Sequence, residues 1–209
     1  MFSQRVAQGI YATPVDAARA RGLLGFDIGV AATAVPIETD APYWQRATGD
    51  EDISLGDHLI TPRLVVSKGL SFATVSAMYS KVQETNVQIW GGAVDVPIVG
   101  GGIVTPTIAV RGAYSTVFGA EEIDLKTYGL ELFISKGFGP VTPYAAVGRA
   151  RSDATATFAI PTGTRTLTDQ ADSNRITVGV KLSLLIPKIV VEATQGEVRS
   201  YAAKISLGF

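Results

Sequence analysis

Apolar residues recur at every second position over most of this chain. Leu24, Phe26, Ile28, Val30, Ala32 and Ala34 alternate with Gly25, Asp27, Gly29, Ala31 and Thr33. Side chains of a strand point alternately to its two faces, so period two gives an apolar face and a small or polar face. The pattern returns at Ile108, Val110, Gly112 and Tyr114, at Tyr128, Leu130, Leu132 and Ile134, and at Ile176, Val178, Val180, Leu182 and Leu184. It closes the chain at Tyr201, Ala203, Ile205, Leu207 and Phe209. Such a chain is all-β.

About ten segments carry the pattern, near 22–36, 57–68, 70–83, 86–96, 104–118, 123–136, 141–155, 174–186, 188–195 and 197–209. Several exceed the ~5–6 residues of an ordinary strand and match the ~9–11 tilted residues that cross a bilayer. Within 86–96, Val87 and Ile89 share one parity and Trp90 and Val94 the other, so a bulge near Trp90-Gly91-Gly92 is expected. The connections around 37–56 and 156–173 read as long polar loops. Those at Ser67–Leu70, Ser135–Phe138 and Ile186–Lys188 are short. With ten strands and an inner N-terminus, the long loops fall on one side and the short turns on the other, as in outer-membrane barrels. Leu64–Leu70 echoes Leu132–Phe138, and Thr105-Pro106 and Thr142-Pro143 each open a strand. These are repeated hairpins of one sheet.

Alternation alone does not say which face meets water, so composition decides. Mean hydropathy is +0.25 and 18% of residues are charged. A spanning helix needs ~20 consecutive apolar residues; the longest uncharged run, between Asp95 and Arg111, is broken by Pro97 and Pro106. A membrane-crossing form of this chain is therefore a closed barrel, the other backbone that satisfies its own hydrogen bonds in lipid. The polar face holds mostly Gly, Ala, Ser and Thr with isolated charges, unlike the water-facing side of a soluble barrel. Tyr79, Tyr114, Phe118, Tyr128, Tyr144 and Tyr201 fall mostly near strand ends, where interfacial girdles lie. The expected fold is a single closed antiparallel transmembrane β-barrel of ten strands, with eight or twelve as alternatives, over residues 22–209. A net charge of −1 lacks the basic excess of nucleic-acid binding. With no cysteine there is neither a disulfide framework nor a thiolate metal site, and no cofactor is expected.

Residues 1–21 precede the barrel. Val15–Arg21 holds helix formers between Pro14 and Gly22, which predicts a short helix in a periplasmic lead-in; a plug within the lumen is the alternative. The segment lacks the apolar core of a signal peptide, so the numbering is expected to start at a processed or engineered terminus.

The segment Tyr201-Ala202-Ala203-Lys204-Ile205-Ser206-Leu207-Gly208-Phe209 resembles the C-terminal signal of bacterial outer-membrane proteins. The resemblance implies recognition by the barrel-assembly machinery, with Tyr201 and Phe209 in the signal, and residence in a Gram-negative outer membrane among lipids and lipopolysaccharide. Gly25–Val30, Thr105–Tyr114, Tyr128–Phe138 and Thr142–Gly148 resemble a poorly characterised proteobacterial outer-membrane family, which implies no activity.

The candidate site is the polar face. Asp27, Glu131 and Glu192 share it with Arg63, Arg111, Arg149, Arg175, Lys181 and Lys204. A midplane arginine on the lipid face costs ~2–4 kcal/mol, so these nine are expected to face the lumen. There they pair across a filled interior, or their cationic excess lines a narrow path for small anionic or amphipathic solutes. Asp50, Glu51, Asp52 and Asp57 lack the ligand spacing of a calcium loop. Gly100-Gly101-Gly102 lacks a phosphate-loop lysine and reads as a turn. His58, the single histidine, would serve an outer-membrane hydrolase only beside a serine and acid or paired carboxylates. The expectation is a non-enzymatic structural or interaction protein, with a narrow porin-like channel second and a hydrolase third.

Overall fold

The computed structural model describes residue 11, residues 13–36, 58–81, 86–102, 104–119, 123–160 and 163–209, without the side chains of 123 and 157–165. Ten strands follow one another: β1 (Phe26–Pro36), β2 (His58–Gly69), β3 (Thr74–Lys81), β4 (Gln88–Val99), β5 (Thr107–Phe118), β6 (Ile123–Ser135), β7 (Val141–Ile160), β8 (Gly163–Ser183), β9 (Pro187–Gln195) and β10 (Arg199–Gly208). Each pairs antiparallel with its chain neighbours, and β10 closes on β1 from Asp27↔Gly208 to Ala34↔Tyr201. Closure removes both sheet edges, the requirement for a sheet in lipid.

Connections at 70–73, 100–106, 136–140 and 184–186 gather at the end where β1 starts and β10 stops. Two expectations change here. The described residues of 156–173 are strand rather than loop: β7 runs for 20 residues to Ile160 and β8 for 21 from Gly163, paired from Val141↔Leu182 out to Ile160↔Gly163. It is rich in threonine, which favours strands, and its only large apolar residues are Phe158, Ile160 and Leu167, too few to mark a membrane-crossing face. Nor is there a bulge at Trp90: the β3–β4 and β4–β5 ladders stay regular there, and the irregularity lies at Pro97/Val99. Ile89 points inward and packs with Val117 and Leu125, so both parities of this segment are apolar. The acidic group at 50–57 and the stretch 37–56 lie outside the described residues.

The faces separate cleanly along most of the wall. Val30, Leu130, Ile176 and Ile205 are more than half exposed on the outside, while Arg111, Lys181 and Lys204 are buried inside. Tyr79, Trp90, Tyr114, Tyr128 and Tyr201 stand outward toward one end, and Phe72, Phe138 and Phe209 are exposed at the other. From Tyr201 to Phe209 the strand rises ~26 Å, or ~20 Å along the normal at the usual tilt, close to an apolar membrane belt. Tyr144, counted among the interfacial aromatics by sequence, is instead buried in the lumen.

This belt sets a graded prediction. Ile205 sits four residues from Tyr201 and four from Phe209 and is 63% exposed. Ile205→Arg should cost ~2–4 kcal/mol, because mid-bilayer lipid offers the charge no partner. Leu130→Arg should cost less, because Arg149 opposite it already stands outward with Asp172 as partner, which puts this level at the edge of the apolar belt. Urea unfolding in lipid vesicles gives both values, and equal costs would misplace the belt.

Candidate functional site: the charged lumen and its plug

The lumen is charged along its wall and occupied by residue 11 and residues 13–21. Seven of the nine expected charges, Asp27, Arg63, Arg111, Glu131, Arg175, Lys181 and Lys204, are buried inside. Glu192 also lies on the lumen parity and accepts a 2.7 Å hydrogen bond from Tyr144 Oη. Arg149 does not join them. It stands outward with Val147 and pairs with Asp172 at 3.0 Å, with two thirds of its side chain exposed. In the segment Tyr144–Ala150 both parities carry small or apolar residues, so alternation did not settle the face. Beyond the apolar belt an outward arginine meets water and headgroups, and no lipid penalty forces it in.

The expected helix over 15–21 is absent: Val15 has φ 49° and the segment is irregular. Seven residues form at best a marginal helix, and here wall side chains satisfy the backbone instead. Asp16 is the anchor. Its carboxylate accepts Lys181 Nζ at 2.8 and 3.0 Å, Lys204 Nζ at 3.2 Å and Arg21 at 2.5 Å, and Arg111 donates to its carbonyl at 2.8 Å. Burial pushes the Asp16 carboxyl up, but Lys181, Lys204 and Arg21 outweigh it and hold it well below the usual carboxylate range.

Neighbouring groups complete the network. Asp27 meets Lys204 at 3.4 Å, Lys188 at 3.3 Å and Arg21 at 3.5 Å, and accepts Ser206 at 3.1 Å. Arg111 grips Asp95 through two bonds of 2.6 and 3.0 Å while lying over the Phe133 ring. Arg175 reaches Glu131 at 3.5 Å and stacks on Tyr11 from the plug, 4.4 Å from the ring centroid. Two glycines make room for this segment. A Cβ at Gly129 would lie 2.5 Å from Tyr11 Oη, and one at Gly69 would lie 2.0 Å from the Gly22 carbonyl. Thr74 ties the exit down, donating to the Arg19 carbonyl and accepting from the Arg21 amide. Val15, Ala17 and Ala18 fill the space between and are fully buried.

Sequence reasoning missed Asp16, Arg21, Asp95 and Lys188. Asp95 and Lys188 carry the right parity, visible once their strand boundaries are known; the other two come from the N-terminal segment. Counting them, the described lumen holds Arg21, Arg63, Arg111, Arg175, Lys181, Lys188 and Lys204 against Asp16, Asp27, Asp95, Glu131 and Glu192. Tyr11 Oη, Arg63 Nε and Glu131 Oε2 are buried without a hydrogen-bond partner. His58 opens β2 opposite Pro36, exposed and outward, away from these charges. Tyr201 and Phe209 are likewise outward and exposed.

An apolar outer wall, a charged interior and full closure define a transmembrane β-barrel with an internal plug. Among solved structures, the chain is similar to the N-terminal β-barrel domain of Pseudomonas aeruginosa OprF, at 10% identity and TM-score 0.40, covering 88% of this chain and 97% of that one. Neisserial surface protein A gives 10% identity and TM-score 0.37, covering 88% and 97%. The attachment invasion locus protein Ail of Yersinia pestis, in complex with the heparin analogue sucrose octasulfate, gives 12% and 0.33, covering 88% and 95%. No protein-family model and no curated protein matches the chain. At these identities and TM-scores, the barrel's own two faces carry the class.

Proposed function

We propose that this chain is an integral outer-membrane protein with a non-enzymatic structural or interaction role. The observation that carries this reading is the lumen occupied by residues 13–21 and ionically pinned at Asp16. A barrel of ten strands lies near the size at which side chains fill the interior, and here a chain segment adds to that filling. What such a scaffold can offer a partner is the rise of β6, β7 and β8 above the rim. β6 supports β7 out to Ala156, whereas β9 pairs with β8 only as far as Ile176. Among the described residues, 163–175 of β8 thus have β7 on one side and no neighbour on the other. Asp169 and Asp172 interrupt that edge with charge, as soluble edges do to limit nonspecific pairing. Assembly would run through Tyr201–Phe209 as signal to the barrel-assembly machinery, with lipids and lipopolysaccharide as surroundings.

A chain of this kind should fold to mostly β structure in micelles and migrate faster on gels before heating than after. Trypsin added to intact cells should cut at Arg165 in the β7–β8 hairpin and spare the barrel. A folded monomer in plain buffer, or a hairpin protected in intact cells, would overturn the reading. A narrow anion path is the second reading, favoured by the lumen cations that outnumber its acids.

A further inference from the structure

The inner end of the barrel holds a hollow that the ion-pair network does not use. It measures about 420 Å³ and lies between the end of the plug and the β4–β5 and β6–β7 connections. Arg19 forms part of its wall, and the loop Gly100–Gly102 another part. Thr105, Thr107 and Ser135 add hydroxyl-bearing side chains. The loop is glycine for a steric reason. A Cβ at Gly101 would lie 2.2 Å from Thr107 Oγ1, and one at Gly102 would lie 2.9 Å from Thr105 Oγ1. The Gly102 amide donates to the Thr105 carbonyl at 3.0 Å, and Lys136 Nζ donates to the Gly102 and Thr105 carbonyls at 2.9 and 3.2 Å. This wall is therefore held in shape by its own turn and by Lys136.

Arg19 is the charge left over. Thr74 holds its carbonyl at 2.8 Å, but its side chain is exposed and has no acid partner among the described residues. Asp16, three residues before it, is taken by Lys181, Lys204 and Arg21, and Asp95 by Arg111. None of the connections at 70–73, 100–106, 136–140 and 184–186 contains an acid, so this end is positive and favours an anion. A guanidinium fork matches a planar carboxylate through paired N–H donors. One free cation balances one carboxylate. A phosphate monoester, at about −1.5 to −2, carries more charge than Arg19 alone balances, and Lys136 is turned toward carbonyls. The volume lies within the ~300–1,000 Å³ typical of small-molecule sites, so a lone ion would leave most of it empty. Hydroxyls and loop backbone suit the amides of a peptide, and the described lining has room beside small side chains only.

We propose that this hollow captures the C-terminal carboxylate of a peptide chain with small side chains, with the carboxylate on Arg19 and the last amides against Thr105, Thr107 and the glycine loop. Backbone and side-chain donors gathered around a chain end are a recurrent mode of peptide recognition. The proposal rests on the interaction role proposed above, which places this end of the barrel in the periplasm. A protein tail and a cell-wall stem peptide both offer such an end, and the hand of the last residue tells them apart.

The full-length chain in maltoside micelles, titrated with tetra-alanine labelled with fluorescein at its N-terminus and read by anisotropy, tests this. The free acid should bind about tenfold more tightly than the C-terminal amide, the scale of one charge-assisted hydrogen bond. Arg19→Gln should abolish that difference. Thr105→Val, which leaves the plug untouched, should weaken binding of the acid should the plug variant fail to fold. Equal binding of acid and amide would overturn the proposal, as would parental affinity in folded Arg19→Gln and in Thr105→Val. Acetate displacing the label at the same concentration as unlabelled peptide would also overturn it, because the hollow would then hold an ion only. Tighter binding of a peptide ending in D-alanine assigns the cell-wall stem, tighter binding of the L-alanine form assigns a protein tail, and both uphold capture of a chain end. Heat-modifiable migration of the same sample separates the two readings. A folded barrel that ignores the peptide defeats this proposal alone, and failure to fold in micelles defeats the outer-membrane reading.

Discussion

Asp16→Ala should be the most damaging single substitution in the lumen, lowering stability by ~3–5 kcal/mol, the usual cost of removing one partner from a buried ion pair. Lys181, Lys204 and Arg21 converge on its carboxylate, and none has a comparable second acid: Lys204 and Arg21 reach Asp27 only at 3.4 and 3.5 Å. Alanine would leave three buried cations crowding each other around an apolar methyl. Asp16→Asn, which keeps an acceptor oxygen but not the charge, should lose less. Unfolding midpoints in urea with a lipid bilayer present measure both, and an alanine variant as stable as the parent would show that the plug does not pin the barrel.

The same anchor has a defined pH dependence. The Asp16 carboxyl is held well below its ordinary value in the folded chain by the three cations. A depressed folded value means that the stabilisation is complete above the unfolded carboxylate pKa of ~3.9 and is lost as pH falls through the folded one. The plug should therefore stay seated at mildly acidic pH and loosen only well below that range. Asp16→Asn should remove this acid-dependent part of the unfolding curve and leave the rest.

Strand positions were largely legible in the sequence because lipid imposes a simple rule on one face. Wherever a strand crosses the apolar belt, one parity must be apolar, and the expected segments fall close to β1–β10. The rule stops where the belt stops. Thr155, Thr157, Thr164, Thr166 and Thr168 belong to β7 and β8, yet the few large apolar residues among them, Phe158, Ile160 and Leu167, are too sparse for alternation to outweigh the Pro, Gly and Asp of the same stretch. Arg149 failed because a charge above the belt is free to face out. Asp16 failed for another. Its role depends on Lys181 and Lys204, 165 and 188 residues away, and no local pattern distinguishes a helix former from a residue held by distant charges. The sequence did place the cations on the inner face; their counterion lay in a segment with no strand periodicity.

Removing residues 1–21 should convert a closed barrel into a narrow, anion-preferring pore. In the full chain Tyr11 and residues 13–21 occupy the lumen, and planar-bilayer recordings should show no steady current. Its loss removes Asp16 and Arg21 together and leaves Arg63, Arg111, Arg175, Lys181, Lys188 and Lys204 facing Asp27, Asp95, Glu131 and Glu192. Small inward residues, Ala31, Ala109, Ala113 and Gly129, leave a water path that larger side chains would close. A narrow tube with low-dielectric walls focuses the field of its fixed charges, so a surplus of two cations repels potassium more than chloride. The surplus is modest and Arg111 is tied to Asp95, so selectivity should be partial rather than absolute. Under a potassium chloride gradient the reversal potential gives the sign directly. Asp16→Ala, with the plug present but released from its anchor, should flicker between the two conditions. A cation-selective reversal potential in the truncated barrel would refute the lumen assignment, and silence in the truncated barrel would mean that the wall closes the lumen without the plug.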